Sequence, residues 1–346
     1  MMRAAVLRSY GEDLSIEEVP DPGCDADGVV LRVLACGVCR SDWHGWRGEH
    51  PRVKPGAIGG HEYCGEVVEA GPLAKWRKGD RVIAPFILAC GSCPDCQAGN
   101  QNICATQRLP GFTEPGAFAE FVHVPFAHNL ARLPDSLSPQ IAAGLGCRVT
   151  TAWHALTGRA ALRAGEWLAV IGTGGVGLSA ALLGRAMGAQ VVVVDVVQDK
   201  IDHALRLGID AGVNAAGVNA AEAIRDITGG GAHVSVEALG HPATLGTSID
   251  CLRPLGRHVQ VGMPVGHTAR MEVNMNAVYM KNLALFGTRG MPPWRFPSLL
   301  AMIEAGQVDV TPLVARTIPL SGTSAELCAF DGPTPPGVAV ITDFRG

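Results

Sequence analysis

The sequence predicts an α/β protein of two domains, in which a doubly wound parallel sheet is combined with a mostly β domain. A chain of 346 residues suggests about two domains, because a single hydrophobic core rarely grows past ~250 residues. From about residue 149, apolar strands alternate with helical stretches, which is typical of a parallel sheet covered on both faces. Before that point, short alternating runs separated by Gly and Pro indicate a partly open β-barrel.

The mostly β domain starts with MMRAAVLRSYGEDLSIEEV, which predicts a strand and hairpin rather than a signal peptide with an unbroken apolar stretch. The runs VVLRVLAC, GEVVEAG, DRVIAPF and AEFVHV continue it, and a cysteine-rich lobe at about residues 88–106 is inserted. Near residue 286 the strand–helix alternation ends, and the remaining helix SLLAMIEAGQ and strand GVAVITDF are expected to return to the first domain. The predicted domains are therefore 1–148 with 286–346, and 149–285.

Composition and charge exclude several classes of partner. With a net charge of −4 and 28 scattered basic residues, the chain has no general attraction to nucleic acid or to an anionic membrane surface. No apolar run approaches the ~18 residues of a membrane span, since even VVVVDVV is interrupted by Asp195. We therefore expect a cytoplasmic protein, whose thiols stay reduced.

Four of the 11 cysteines lie within CGSCPDCQAGNQNIC. Disulfides would have to close very short loops in a compartment that disfavours them, and a redox C-x-x-C does not need the fourth, spaced cysteine. The spacing favours a tetrahedral zinc site over these two alternatives. Four thiolates close the zinc shell and leave no position for substrate, so the site is expected to be structural. Its ligands would be Cys90, Cys93, Cys96 and Cys104.

The stretch EWLAVIGTGGVGLSAALLGRAMG fits the dinucleotide-binding fingerprint of the Rossmann fold in its required context, a strand followed by a turn and a helix. The first glycine makes the tight turn, the second lets the backbone approach the pyrophosphate, and the third lets the helix pack close to the strand. The helix N-terminus then presents N–H groups to the phosphates. The predicted cofactor-binding residues of this loop are Gly172, Gly174, Gly175, Val176 and Gly177.

The next strand, QVVVVD, ends in Asp195, which lies 18 residues past Gly177. An acid there accepts hydrogen bonds from the adenosine ribose hydroxyls and repels a 2′-phosphate. Valines follow at 196 and 197, so no arginine is present there to receive such a phosphate. The alternative is that Asp195 caps the following helix; the context favours NAD as the cofactor.

A second group of metal-ligating residue types lies outside the lobe: Cys39 in GVCRSDWH, His61 in GGHEYCGE and Cys147 in GLGCRVTTAW. Singly these are weak signals, because a buried cysteine is usually just a small apolar residue. A lone histidine is likewise more often a core or surface side chain. Their local sequence strengthens the signal, since Glu62 follows His61, and a serine, an aspartate and a histidine follow Cys39 within five residues.

In order and spacing, GVCRSDWH, GGHE, the CGSCPDC…C lobe and GTGGVG together resemble a zinc-dependent alcohol dehydrogenase of the medium-chain dehydrogenase/reductase superfamily, over essentially the whole chain. The resemblance implies a discontinuous GroES-like catalytic domain beside the Rossmann domain, NAD as cofactor, and two zinc ions per chain. It implies Cys39, His61 and Cys147 as ligands of a catalytic zinc, with water or substrate in the fourth position.

The resemblance also assigns the chemistry. Glu62 resembles a carboxylate that approaches the metal during ligand exchange, and Asp42 resembles a group that orients the zinc histidine. Zinc lowers the pKa of a bound alcohol toward ~7, as it does for water, and the alkoxide passes a hydride to the nicotinamide. Ser41 takes the alcohol proton and hands it through the cofactor ribose to His44 at the surface. Without the resemblance, Ser41 would be a capping hydroxyl and His44 a solvated side chain.

Further residues follow from the same resemblance. Arg40 resembles the residue that grips the cofactor pyrophosphate. The remaining cofactor contacts would be Thr151, Lys200, Val261 and Phe286. The alcohol pocket would include His50, Phe86 and the nearby Trp43, although large aromatic residues are more often part of a core.

Two positions depart from the family pattern. Val338 stands where the family commonly has an arginine that adds a second pyrophosphate contact, so Arg40 alone would grip the cofactor. Arg148, directly after Cys147, replaces a glycine often found there. A charge so near the zinc is placed to steer an anionic substrate group.

The sequence therefore predicts NAD-dependent, reversible oxidation of a medium-sized, apolar or aromatic alcohol, primary or secondary, by a cytoplasmic homo-oligomer, either a tetramer or a dimer. A rival enzyme would oxidise a cyclic or CoA-linked hydroxy compound, for which Arg148 is the pointer. A rival of another class is a non-catalytic scaffold that binds NAD and zinc, against which the complete ligand and relay residues argue. A zinc-free quinone reductase would lack Cys39, His61 and the four-cysteine lobe.

Overall fold

The secondary structure comes from a computed structural model that describes residues 1–332 and 334–346, with the backbone alone at His267. The strands of the described chain are β1 (Met2–Val6), β2 (Ser15–Val19), β3 (Val29–Gly37), β4 (Glu62–Ala70), β5 (Arg81–Ile83), β6 (Phe121–Val124), β7 (Ala131–Arg132), β8 (Trp167–Ile171), β9 (Gln190–Asp195), β10 (Ala211–Asn214), β11 (Ala232–Glu237), β12 (Leu252–Gln260), β13 (Ala284–Gly287), β14 (Val314–Pro319) and β15 (Val338–Asp343).

The helices of the same residues are short to medium in length. The α-helices are α1 (Arg40–Trp46), α2 (Pro94–Gln97), α3 (Pro139–Ala143), α4 (Thr150–His154), α5 (Gly175–Ala186), α6 (Gln198–Arg206), α7 (Ala220–Thr228), α8 (Pro242–Asp250), α9 (Met275–Lys281), α10 (Phe296–Glu304) and α11 (Thr323–Ala329). Two π-helical segments, Leu145–Val149 and Ala155–Arg159, flank α4 in the chain. Among the described helices, none combines the length and apolar character that crossing a bilayer requires.

The first unit comprises Met1–Thr150, Gly290–Ala305 and Thr311–Gly346, and it is the mostly β part of the chain. Its main sheet has the order β14-β15-β3-β4-β5-β7, with β6 also paired to β3, while β1 and β2 form a separate antiparallel hairpin. β15 is parallel to β14 and antiparallel to β3. A strand near the C-terminus therefore completes a sheet that residues near the N-terminus begin.

The alternation of apolar and polar residues explains how this sheet buries one face. In β3, Leu31 and Val33 are buried, whereas Arg32 between them is exposed and pairs with Glu66 on the neighbouring β4. Successive side chains of a strand point to opposite faces, so the apolar set faces the core and the charged set faces solvent. Fully buried large side chains, such as Phe118, fill the core of this unit.

The second unit comprises Thr151–Arg289 and Gly306–Val310. Its six strands are all parallel, in the order β10-β9-β8-β11-β12-β13. The order runs outward from β8 in both directions, which is the Rossmann arrangement and confirms the predicted doubly wound sheet. β8 and β9 are almost wholly buried, which explains why WLAVI and QVVVVD are nearly continuous apolar runs. β11 (AHVSVE) is also almost wholly buried, although its apolar and polar residues alternate.

The register of this sheet aligns the carboxyl ends of its strands. Ile171 at the end of β8 pairs with Val194 on one side and with Glu237 on the other. Glu237 pairs in turn with Gln260 of β12, and Gln260 pairs with Gly287 of β13. The loops after these five strands therefore leave from one edge, which we call the carboxyl edge. Ligands of open α/β sheets bind at this edge, where the strand order reverses.

Candidate functional site

The cysteine-rich lobe brings four sulfur atoms together within the first unit. The Sγ atoms of Cys90, Cys93, Cys96 and Cys104 all lie within 4.8 Å of one another. Individual pairs are 3.5 Å apart (Cys90 and Cys104), 3.9 Å (Cys93 and Cys104) and 4.0 Å (Cys90 and Cys96), and none of the four forms a disulfide. Sulfur atoms at ~2.3 Å from one tetrahedral zinc would be ~3.8 Å apart, so these four fit a closed zinc shell.

The surroundings of the lobe favour thiolates at some of these positions. A hydrogen bond with the Thr106 hydroxyl is the main reason that the pKa of Cys90 falls to about 5. Backbone N–H groups, first that of Cys96, lower the pKa of Cys93, whereas burial raises the pKa of the Cys96 thiol to about 12. Thiolate is the form of cysteine that binds metal, and a metal ion displaces the remaining protons on binding.

A second cluster gathers Cys39, His61, Glu62 and Cys147, whose ligand atoms also lie within 4.8 Å of one another. Cys39 is the N-cap of α1 just after β3, while His61 and Glu62 stand at the start of β4. β3 and β4 are antiparallel neighbours, so the end of one lies beside the start of the other. Cys147 comes from the π-helical segment Leu145–Val149, a rare conformation that is frequent at functional sites.

The Asp42 carboxylate fixes the geometry of this second cluster. His61 Nδ1 lies 2.9 Å from Asp42 Oδ1, which also accepts the Gly60 N–H at 3.0 Å, and Oδ2 accepts the Cys39 N–H at 3.0 Å. With Nδ1 engaged, His61 Nε2 is buried and has no hydrogen-bond partner among the described residues. A metal ion at Nε2 would satisfy this atom, and Asp42 would then orient the ligating ring.

The pKa values in the cluster also suit a metal site. The contact with Cys147, followed by that with the His61 ring, holds the pKa of Cys39 well below its usual range despite burial. Burial lowers the pKa of His61, but the facing Asp42 carboxylate outweighs it and raises that pKa to about 10. A metal ion replaces the ring proton when it binds. The donor set therefore fits zinc held by two thiolates and one imidazole.

Glu62, the fourth member of the cluster, is paired with Arg148. Both side chains are buried, with Arg148 only 2% exposed. The Arg148 backbone N–H and Nε donate to Glu62 Oε1 at 3.2 and 3.0 Å, and its Nη2 pairs with Oε2. The expectation that Arg148 steers an anionic substrate group is therefore wrong, because its charge is buried and already balanced by Glu62.

Aromatic rings surround the His61 side of the cluster. The Phe86 and Phe112 ring centroids lie 5.9 and 4.9 Å from that of His61, and the His50 ring lies 4.7 Å from Phe112. The structure thus brings His50 and Phe86 near the candidate metal ligands. Phe112 was not predicted; its only sequence signal is a bulky aromatic residue inside the Gly- and Pro-rich loop LPGFTEPG.

The two residues predicted to move a proton lie on α1. Ser41 Oγ is 3.9 Å from Cys39 Sγ, so this hydroxyl is beside a candidate ligand. His44 Nδ1 is 2.6 Å from Glu49 Oε2, and the His44 side chain is 14% exposed against 39% for Glu49. His44 is therefore less exposed than a fully solvated side chain, and Glu49 is the more exposed group of the pair.

Arg40 lies against aromatic rings of the first unit. Its guanidinium carbon is 4.7 Å from the Trp43 ring centroid and 5.8 Å from that of Phe330, and its Nη1 donates to the Phe330 carbonyl at 3.3 Å. Trp43 Nε1 in turn donates to Asp331 Oδ1 at 3.0 Å. Trp43 therefore packs on Arg40, and its place in the alcohol pocket stays a prediction.

The glycine loop lies at the carboxyl edge of the second unit, where β8 leads into α5. Gly174 is the N-cap of α5, and Gly175, Val176 and Gly177 form its first turn. A Cβ on Gly177 would collide with the Gly172 carbonyl oxygen, so only glycine allows the helix this close to the turn. A Cβ on Gly174 would meet no atom within 4 Å, which leaves the loop open on the side where a pyrophosphate would approach.

Asp195 is held at the same edge by four donors. Its Oδ2 accepts the Thr173 N–H at 2.9 Å and the Thr173 hydroxyl at 2.7 Å. Its Oδ1 accepts the N–H groups of Val196 and Val197 at 2.9 and 3.1 Å. The N-cap of α6 is Val197, so Asp195 precedes the cap position and instead ties the glycine loop to the end of β9.

The remaining predicted cofactor residues are distributed over both units. Val261 directly follows β12, and Phe286 lies in β13, so both belong to the carboxyl edge. Lys200 lies in the first turn of α6. Thr151 is buried, and its hydroxyl has no hydrogen-bond partner in the described part of the chain. Val338 is the first residue of β15 in the first unit.

Comparisons with known proteins identify the family of this chain. The family described as alcohol dehydrogenase GroES-like domain matches residues 25–135, and the family described as zinc-binding dehydrogenase matches residues 175–305. An alcohol dehydrogenase of Geobacillus stearothermophilus is 36% identical over 267 residues, which are 76% of this chain and 78% of that protein. An L-threonine 3-dehydrogenase of Saccharopolyspora erythraea is 31% identical and covers 92% of both chains. Among solved structures, alcohol dehydrogenase TADH from Thermus sp. ATN1 superposes with a TM-score of 0.92 at 30% identity, over 99% of this chain and 100% of that one.

Proposed function

Because this chain belongs to the zinc-type alcohol dehydrogenase family, we propose that it oxidises a primary or secondary alcohol, reversibly, to an aldehyde or ketone with NAD as hydride acceptor. The observation that supports this most directly is the buried cluster of Cys39, His61 and Cys147. In it, His61 Nε2 has no partner among the described residues, while the other ring nitrogen is fixed by Asp42. A zinc ion held by these three residues supplies Lewis-acid activation of the alcohol hydroxyl when it is bound.

The chain's own residues provide the route for the proton. Ser41 lies beside Cys39 and is the hydroxyl that would accept the alcohol proton. His44, on the same helix, would receive the proton next, and the Glu49 carboxylate lies 2.6 Å from His44 Nδ1. Glu49 is exposed enough to return the proton to solvent. The proposed relay therefore has Glu49 as an additional, final group after His44, where the sequence predicted that it would end.

We propose that the second unit binds NAD; the role of Arg40 as the residue that grips the pyrophosphate stays a prediction from the family resemblance. Asp195 would bind the adenosine ribose and the N-terminus of α5 the pyrophosphate. The orphaned Thr151 hydroxyl would find its hydrogen-bond partner in the cofactor. The sequence predicted a catalytic domain of 1–148 with 286–346 and an NAD-binding domain of 149–285. We propose these roles with the bounds of the two units: the first unit as the catalytic domain, and the second unit, which includes β13 and Gly306–Val310, as the NAD-binding domain.

The proposed substrate is an apolar or aromatic alcohol. The Phe86 and Phe112 rings lie next to His61, and the nearby charge of Arg148 is paired with Glu62. A CoA-linked hydroxy compound, the rival suggested by the sequence, loses its anchoring charge by the same pairing. The second candidate is a small polar alcohol, the class that the name of the threonine dehydrogenase relative indicates for that protein.

The proposed assembly is a homo-oligomer, a dimer or a tetramer, in the cytoplasm. β13 is an edge strand of the Rossmann sheet, and its Leu285 is exposed. The adjacent chain in α9 exposes Met275, Tyr279 and Met280 at 61%, 78% and 68%. Apolar side chains along an unpaired strand edge are a typical association surface. A lobe of four thiolates is also suited to a reducing compartment.

The test is turnover combined with metal analysis of the purified protein. We expect two zinc ions per chain and NADH formation with medium-sized apolar and aromatic alcohols, at a higher kcat/KM than with L-threonine or with hydroxyacyl-CoA. Cys147→Ser should lose one zinc and turnover, whereas Cys104→Ser should lose the other zinc. The scaffold alternative would be favoured if the protein contains both zinc ions but none of the tested alcohols supports NAD reduction and none of the tested aldehydes or ketones supports NADH oxidation.

A further inference from the structure

Arg148 has no part in the proposed chemistry, yet it is built into the core beside the candidate metal ligands. It follows Cys147 in the π-helical segment, and its side chain is 3% exposed while that of Glu62 is fully buried. A buried arginine is costly to desolvate unless its charge is paired. Here both carboxylate oxygens of Glu62 are engaged, so the pair is complete within the described structure.

The backbone makes room for this pair at one position. Gly37 lies opposite Glu62 in the β3–β4 ladder. A Cβ on Gly37 would stand 2.8 Å from Glu62 Oε2 and 3.1 Å from Arg148 Nη2. Any other residue there would push the carboxylate or the guanidinium out of place. The glycine, the glutamate and the arginine thus form one fitted arrangement on three segments of the chain.

The alternative position for the Glu62 carboxylate is the metal itself. An oxygen of Glu62 lies within 4.8 Å of the ligand atoms of Cys39, His61 and Cys147. Zinc takes four ligands, and a carboxylate in the fourth position would close the shell as completely as a fourth thiolate does. A closed site has no position for an alcohol. Something must therefore keep this carboxylate from the metal during turnover.

We propose that Arg148 is a positioning residue that holds Glu62 off the metal, so that the fourth coordination position stays open for substrate. The inference rests on the proposed zinc site. The guanidinium fork engages both carboxylate oxygens, which a single ammonium group could not do equally well. Arg148 therefore acts through Glu62 and has no contact with substrate in this role.

The experiment uses the protein with cobalt(II) in place of zinc at the second cluster, and imidazole as the probe of the open position. Imidazole binding is followed by the visible spectrum of the cobalt ion. The wild-type protein should bind imidazole. Arg148→Met should weaken imidazole binding by about 10- to 100-fold, the range that one charge-assisted hydrogen bond contributes. The double variant Glu62→Gln with Arg148→Met should return to within about threefold of wild type, because the neutral amide is a poor zinc ligand.

Two controls keep the outcome decisive. If Arg148→Met does not fold, Arg148→Lys keeps the charge without the fork and should give an intermediate affinity. Equal imidazole affinities in wild type and Arg148→Met, or in wild type and Arg148→Lys where Arg148→Met does not fold, would overturn the inference, as would a wild-type cobalt protein that binds no imidazole. Absence of a thiolate-to-cobalt charge-transfer band in the wild type would instead overturn the proposed metal site, so the two failures are distinguishable.

Discussion

Replacing Asp195 with asparagine is expected to turn an NAD-selective site into one that also accepts NADP. Oδ1 of Asp195 accepts the N–H groups of residues 196 and 197, and an asparagine carbonyl oxygen can keep both bonds. The amide nitrogen would then face Thr173, whose hydroxyl can turn to accept from it. Only the Thr173 N–H loses its acceptor, at a cost to stability of about 1–3 kcal/mol.

The change in cofactor preference follows from charge. Two unit charges 4 Å apart repel by about 1 kcal/mol in water and by about 4 kcal/mol at an effective dielectric constant of 20. A phosphate carries about −1.5 to −2 charges at neutral pH, and Asp195 is half-buried. We therefore expect the carboxylate to disfavour NADP by about 2–4 kcal/mol, which corresponds to about 30- to 1,000-fold in affinity.

The assay measures kcat/KM for NAD and for NADP with one alcohol, in wild type and in Asp195→Asn. Thr173→Val is the matched control, because it removes one hydroxyl donor to Asp195 and leaves the charge in place. The control should weaken both cofactors without changing their ratio, whereas Asp195→Asn should raise the NADP to NAD ratio by about 30-fold or more. Equal use of both cofactors by the wild type, or an unchanged ratio in Asp195→Asn, would refute the reasoning.

Three further predictions concern separate parts of the molecule. Cys93→Ser should release one zinc and lower the unfolding temperature, because the binding energy of a structural metal is folding energy; metal content and thermal unfolding check this. Ser41→Ala should reduce alcohol oxidation by about 10²–10⁴-fold, and His44→Gln by less, with partial rescue by small buffer bases; a Ser41→Ala enzyme with full turnover would mean that the proton leaves by another route. Trp43→Leu should raise the dissociation constant of NADH by about two- to fivefold, because Arg40 loses the ring on which it packs, and Trp43→Phe should raise it by less. Calorimetric titration measures this constant. An unchanged constant in Trp43→Leu would mean that Trp43 does not contribute to cofactor binding.

The predictable parts of this protein are those whose signal is local. The parallel sheet is predictable from the nearly continuous apolar sequences of β8 and β9, which are buried on both faces. Asp195 follows from its position at the end of a strand. The four-cysteine lobe follows from spacing alone, since its ligands all fall within one short segment. Such features need no knowledge of which distant segments meet.

The parts that the sequence could not supply depend on distant contacts. Glu62 and Arg148 are 86 residues apart, so neither position reveals that the other balances its charge. Phe112 reaches His61 from a loop with no chemical motif of its own. Trp43 is a different case, because it lies three residues after Arg40 in α1, and residues at that spacing share a helix face. Helical geometry would have placed it beside Arg40 without any structure.

The position of β15 between β14 and β3 determines when the first unit can be completed during synthesis. The second unit is nearly continuous in sequence, so it can fold as soon as its strands have been synthesised. The partner strand β15 of β3 is synthesised much later than β3 itself. The residues of β3 that β15 covers are Cys36 and Gly37, just before the candidate ligand Cys39. We therefore expect the edge of β3 next to the candidate ligand Cys39 to stay unpaired by β15 until the end of the chain has been synthesised.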